Sequence, residues 1–293
     1  MVDLVFKLSV ITDEVSQDLE VVAKFADRFG LDGVEIRTVW NRSPQDLVDK
    51  VDDIRGILKK YDLKVSAIAS PFFKAEIENE REYNEHLEIL KKCIRLAKSL
   101  DTNIIRGFTF WRKNGGLNEY LESIIEKFQK PLEIIESEGV LLGIENEPST
   151  FVGNGRELAM FLNQLNSKNV GAIWDPGNDI WDPNGEKPYP DGYGYVRGRI
   201  IHVHVKDGVR KGADGKPEFL PIGEGEVNYP EQLKALKMDG YRGYLSLETH
   251  WRPGKKIPWD QISRPGGGEF SGLGEYASEI CMRNLINILE SLK

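Results

Sequence analysis

Eight short apolar runs recur along the chain, and they constrain its fold more than any other feature. They read FKLSVI (6–11), GVEIR (33–37), KVSAIAS (64–70), TNIIRGF (102–108), VLLGIEN (140–146), VGAIWD (170–175), IIHVHVKD (200–207) and GYLSLETH (243–250). Their length and branched residues favour buried parallel strands. Amphipathic helical segments fill most of the gaps, at 18–30, 44–61, 81–100, 118–139, 155–166, 229–240 and 275–292. The first stops at Gly30. The second follows Ser43, a candidate N-cap, with Pro44 at the first helical position. The fourth carries Pro131, which predicts a kink or split there. The gap at 176–199 reads as mostly loop.

This alternation over about 250 residues predicts a single (β/α)8 TIM barrel spanning 1–293, with its active site at the C-terminal ends of the strands. An open doubly wound sheet is the competitor. The turn after the first run reads ITDEVSQDLE, without the Gly-rich phosphate fingerprint of a dinucleotide fold. No compositional break marks a second domain. A net charge of -8 disfavours nucleic acid bound through bulk charge. No run reaches membrane-spanning length, and the N-terminus shows no leader pattern, so a soluble cytoplasmic protein is expected. Cys93 and Cys281 read as buried thiols of a reducing compartment. Self-association is left open.

The strand ends carry the chemistry. The fifth run ends in Glu145-Asn146-Glu147-Pro148 and the sixth in Asp175-Pro176-Gly177-Asn178. The seventh carries His202, His204, Lys206 and Asp207, and the eighth ends in Glu248-Thr249-His250. Four successive strands thus deliver Glu, Asp, His and Glu to one rim. Any one acidic residue at a strand end more often caps the next helix. Three carboxylates gathered together repel unless a cation neutralises them, and the set suits Mn²⁺, Co²⁺ or Mg²⁺ better than Zn²⁺.

The motifs GIENEP, WDPGN, HVHVKD and SLETH resemble the metal-site motifs of the sugar phosphate isomerase/epimerase superfamily. This xylose-isomerase-like barrel group includes ketose 3-epimerases, inosose-processing enzymes, hydroxypyruvate isomerases and endonuclease IV. The resemblance implies that Glu145, Asp175, His204 and Glu248 hold one divalent metal, with Glu145 and Glu248 as the acid/base pair. It also offers Arg210, six residues after His204, as a contact to substrate hydroxyls. Two positions depart from the ketose 3-epimerase pattern: Asn178 stands where those enzymes carry histidine, and Phe151 where they carry an additional glutamate. Both argue against a free ketohexose as substrate.

The expected chemistry is α-proton abstraction from a ketose, keto sugar acid or sugar phosphate, through an enediolate stabilised by the metal. Return of the proton to the same carbon gives epimerisation, and to its neighbour gives isomerisation. Further candidates for substrate contact are Lys206, Asn178 and His250. His202 points inward one layer below His204, as a ligand-orienting or barrel-filling residue. Glu35, Arg37, Lys74 and Arg106 lie at or just beyond strand ends. Each reads singly as a structural ion pair, and together they hint at a phosphate or carboxylate on the substrate. His86 reads as a surface residue. Trp40, Trp111, Trp174, Trp181, Trp251 and Trp259 cluster near strand ends and suggest a walled pocket. The Gly-rich stretch 264–275 reads equally as a phosphate-binding loop or a lid. Three rivals remain: an inosose-type dehydratase, a non-catalytic sugar-binding barrel and an abasic-site nuclease. The last is disfavoured by a chain with four histidines.

Overall fold

The computed structural model describes residues 5–255, 257, 263 and 266–292. Eight parallel strands close into a barrel: β1 (Lys7–Ile11), β2 (Gly33–Ile36), β3 (Lys64–Phe72), β4 (Ile104–Gly107), β5 (Leu141–Glu145), β6 (Val170–Trp174), β7 (Ile200–Val205) and β10 (Tyr244–Leu247). Each pairs with its neighbours in sequence order, and β1 closes the ring against β10 with Lys7 opposite Tyr244. Every predicted run therefore coincides with a barrel strand, β3 continuing beyond its run to Phe72. The alternation was legible because almost every strand residue is buried, so the apolar runs lack a polar face. Two extra strands, β8 (Asp207–Val209) and β9 (Glu218–Leu220), form an antiparallel hairpin in the loop after β7.

Helices pack outside the barrel and bury one stripe each. Leu19–Arg28 buries Leu19, Val22, Ala23, Phe25 and Ala26, and Gly30 follows it in the left-handed region at φ 63°. The predicted helix at 44–61 is shorter. Residues 44–50 wind as two 3-10 turns, and the α-helix runs from Val51 to Lys60. Ser43 makes no side-chain cap. The 176–199 gap is more ordered than expected, with helices Pro176–Trp181 and Tyr193–Val196 and a helical turn between them.

Pro131 does not split its helix, which runs unbroken from Gly116 to Glu138. A proline removes the hydrogen bond to the carbonyl four residues earlier, here that of Lys127. The Tyr83 hydroxyl, from the preceding helix Glu80–Ser99, donates to that carbonyl at 3.0 Å. Tyr83→Phe should therefore strand a carbonyl and lower stability by about 1–3 kcal/mol. Urea unfolding checks this, and an unchanged midpoint would deny the compensation.

Cys93 and Cys281 are free and buried, and burial pushes both thiols up to about 12. Among the described residues no helix is long and apolar enough to cross a membrane.

Candidate metal centre and active site

Strand β5 ends at Glu145, β6 is followed at once by Asp175, β7 carries His204 and β10 is followed by Glu248. One ligand atom from each lies within 4.8 Å of the others, and all four residues are buried. Local sequence fixes the geometry. Asp175 caps the helix Pro176–Trp181 by accepting from the Asn178 N–H at 3.1 Å. The Asn146 side chain both accepts from the Asp175 N–H (2.9 Å) and donates to the Asp175 carbonyl (2.8 Å), so the ends of β5 and β6 are pinned together. Gly177 is required because a Cβ there would stand 2.7 Å from the Lys206 carbonyl oxygen.

The donor set fits a divalent ion. The Oδ2 of Asp175 is fully buried and has no hydrogen-bond partner, although the Lys206 ammonium lies 2.8 Å away. The same ammonium is 2.8 Å from Glu248 Oε2. His204 turns Nδ1 toward Glu145 (3.2 Å) and Glu248 (3.5 Å), while Nε2 faces Glu35 at 3.1 Å. Glu35 would hold the Nε2 proton and leave Nδ1 as the ligand nitrogen, the usual carboxylate support for a metal-binding imidazole. Two other clusters have metal-capable groups, but their carboxylates are engaged by protein partners. Glu35, His202 and His204 are fully buried and bonded to one another. In the trio Glu14, Glu248 and His250, Glu14 is already paired with Arg37 and Arg252.

Charge balance matches this reading. Burial alone would depress the His204 pKa, but the carboxylates of Glu35 and Glu145 hold it well above the ordinary imidazole value. Burial, reinforced by Glu248 and Glu145 against Lys206, pushes Asp175 up to about 7. Burial would also raise Glu248, yet Lys206, His250 and Arg37 keep it well below the usual carboxylate range. Binding an ion must then displace protons from His204 and Asp175, so affinity should fall as pH drops. Lys206 is a rival cation at the same oxygens. Lys206→Met should tighten Mn²⁺ binding by about tenfold or more by calorimetry. Unchanged affinity would mean that the ammonium stands clear of the ion.

The other expected site residues divide. Asn178 donates to Glu145 at 3.2 Å, and Arg106 pairs with Glu145 at 3.1 Å. Lys74 is buried against Glu147 and donates to the Ser263 carbonyl at 2.7 Å. His250 is 3.1 Å from Glu14 and lines the same cavity as Glu145 and Glu248. Glu35 and His202 do not reach that cavity. They lie one layer deeper, bonded to each other at 2.8 Å, because both are fully enclosed by the barrel. Arg210 turns away from the cluster and donates to the carbonyls of Asp182 (3.3 Å) and Glu186. His86 is half-buried, not on the surface, and accepts from the Phe73 N–H at 2.8 Å.

Sequence reasoning missed the clamp behind Glu248. Arg37 bonds Asp13 (2.7 Å), Glu14 (2.7 Å) and Glu248, and Arg252 bonds Glu14 at 3.0 Å. The signals were Arg37, read as a structural ion pair without its partners, and the acidic TDEV turn after the first strand, read there for its lack of glycine. The N–H of Gly267 is taken by Asp13 at 2.9 Å, so that part of the Gly-rich stretch serves the clamp. Arg264, Pro265 and Trp259 lie outside the described residues. Of the other tryptophans, Trp181 and Trp251 line a cavity beside the cluster. Trp174 is buried and donates to Gln232 at 3.1 Å, so it is packing.

A closed parallel barrel with an acid- and imidazole-lined cleft at the C-terminal strand ends defines a barrel class built for small-molecule chemistry. The chain belongs to the xylose isomerase-like TIM barrel family, whose model matches residues 23–266. An uncharacterised protein of Methanocaldococcus jannaschii is 32% identical over 182 residues, covering 58% of this chain and 59% of that relative. The chain thus matches less than two thirds of that relative's length. An inosose dehydratase of Clostridium perfringens is 24% identical over 69% of this chain and 75% of its own. Among solved structures, the IolI protein with bound zinc superposes with a TM-score of 0.74 at 19% identity, covering 98% of this chain and 99% of its own. A 3-keto-D-glucoside 4-epimerase of E. coli gives 0.67 at 14% identity, covering 97% and 98%. At these identities the structural likeness speaks for the fold.

Proposed function

We propose that this chain is a divalent-metal-dependent epimerase or isomerase. It removes the proton beside a carbonyl of a ketose, keto sugar acid or sugar phosphate and returns it to the other face or the next carbon. The observation that carries this reading is the pair Glu145 and Glu248. These carboxylates approach one cluster from strands three places apart in the barrel order, and each is held by its own buried arginine, Arg106 or Arg37. Mn²⁺, Co²⁺ or Mg²⁺ at Glu145, Asp175, His204 and Glu248 would stabilise the negative charge that develops on the substrate oxygen. Glu248, kept ionised by Lys206, His250 and Arg37, is the carboxylate assigned as the base. Glu145, oriented by Arg106 and Asn178, serves the opposite face.

The test is solvent exchange. With Mn²⁺ present, the substrate α-proton should be replaced by deuterium, followed by NMR over ketoses, keto-uronates and sugar phosphates. Inertness of the whole panel despite tight sugar binding would favour a binding barrel. Dehydration of an inosose-like cyclic ketone is the second reading, favoured by the inosose dehydratase relative. It shares the abstraction step but expels a β-hydroxyl, and absorbance from the new conjugated product would identify it.

A further inference from the structure

The helix Tyr229–Met238, between β9 and β10, buries Tyr229, Gln232, Leu233 and Leu236. Half of that buried set is polar, whereas the helix Leu19–Arg28 buries apolar side chains alone. A buried polar group costs stability unless it finds a partner. Both find theirs beside the cluster. Gln232 accepts from the Trp174 indole N–H at 3.1 Å, one residue before Asp175. Tyr229 is fully buried and sets its hydroxyl against the backbone of Lys206.

Lys206 is the first residue beyond β7. The pairing with β10 stops one residue earlier, where the Val205 carbonyl accepts from the Glu248 N–H at 3.0 Å. The N–H and carbonyl of Lys206 therefore need other partners, and the Tyr229 hydroxyl serves both. It accepts from the N–H and donates to the carbonyl, each at 2.8 Å. Burial, with the carboxylates of Asp207 and Asp175, holds the phenol well above its ordinary pKa, so it keeps the proton it donates. Gly177 confines the stem of Lys206, since a Cβ there would stand 2.9 Å from Lys206 Cγ. A lysine stem is flexible, and fixing its backbone narrows the positions its ammonium can take. Here the ammonium lies 2.8 Å from both Asp175 Oδ2 and Glu248 Oε2. The next residue faces the other way, as neighbours in an extended chain do. The Asp207 carboxylate accepts from the N–H groups of Gly208, Gly223, Gly225 and Val227 at 2.8–3.2 Å.

We propose that Tyr229 is a positioning residue for Lys206: its hydroxyl stands in for the strand partner that β7 has run out of, and holds the ammonium on the oxygens a divalent ion would take. This rests on the proposed metal centre, not on the choice among epimerisation, isomerisation and dehydration. Tyr229→Phe keeps the ring and removes both bonds. The first readout needs no metal. In ¹⁵N NMR of the metal-free protein, the Lys206 ammonium, identified by its loss in Lys206→Met, should give a resolved signal that broadens away in Tyr229→Phe. The second readout is Mn²⁺ calorimetry. A loosened ammonium is a weaker rival, so Tyr229→Phe should bind Mn²⁺ at least threefold tighter than the wild type. In a Lys206→Met background the same change should leave the affinity where it was, because no ammonium remains to be released. A role in packing alone would lower the unfolding midpoint without this difference between backgrounds. No resolved ammonium signal in the wild type, a signal equally sharp in Tyr229→Phe, or an Mn²⁺ shift of the same size in both backgrounds overturns the proposal. Failure of every protein to bind Mn²⁺ sinks the metal centre, and the ammonium signal alone then decides the role of Tyr229. If Tyr229→Phe does not fold, the wild type supplies the test. Its Lys206 amide should exchange with deuterium as slowly as those of β7, and fast exchange there overturns the proposal.

Discussion

Glu248→Gln should abolish α-proton exchange, by about 10³-fold or more, within the 10²–10⁴ that a positioned general base contributes. The amide keeps the size of the side chain and one oxygen for a metal, but it has no basic form. Glu145→Gln should stop turnover while leaving exchange at the first carbon measurable, because its carboxylate serves the other face. Metal content and cooperative unfolding of both variants must be followed alongside, since each side chain is also a candidate ligand and the partner of a buried arginine. Exchange within threefold of the wild type, with metal bound, would remove Glu248 from the role of base.

The second large effect concerns stability. Arg37→Met should cost about 3–5 kcal/mol, the range for breaking a buried ion pair by removing one partner. The guanidinium is 3% exposed and bonds three carboxylates, of Asp13, Glu14 and Glu248, of which only Glu248 reaches the cavity. Burial already raises Asp13 even with Arg37 beside it. Without the arginine, the Asp13 carboxyl would rise further above its unfolded-chain value, while Glu14 keeps His250 and Arg252 and Glu248 keeps Lys206 and His250. A group raised in this way binds its proton more tightly when folded. The variant should therefore recover stability as pH falls through that raised value, and lie closer to wild type at about pH 5 than at pH 8. Urea unfolding at the two pH values measures both effects, and a loss below 1 kcal/mol at pH 8 would show that water replaces the clamp.

The barrel was legible in the sequence because two-sided burial writes itself as uninterrupted apolar runs. A strand end is a fixed address in such a barrel, which put a Glu, an Asp, a His and a Glu on one rim, and the resemblance to the superfamily's motifs singled out Glu145, Asp175, His204 and Glu248. Partnership across the barrel was not legible. Glu35 meets His202 and His204 across 167 and 169 positions, and Glu14 meets Arg252 across 238, so no local pattern announces either. Arg210 shows the complementary limit. Its spacing from His204 matches the family pattern, but the helical turns at 176–199, read from sequence as loop, offer the carbonyls of Asp182 and Glu186 instead. Pro131 was misjudged for the same reason: the hydroxyl that rescues its helix comes from Tyr83, on another helix.

The seam between β1 and β10 bears on how the molecule is made. Arg37 leaves the ribosome 211 residues before Glu248, roughly 10–40 s earlier at about 5–20 residues per second. Throughout that interval β1 has one unpaired edge, and Asp13, Glu14 and Arg37 have one another but not their last partner. An open strand edge invites pairing with a neighbouring chain. The charged triad beside that edge makes such pairing unfavourable until the final strand arrives. The residues that clamp Glu248 in the finished barrel would thus also shield its open edge during synthesis.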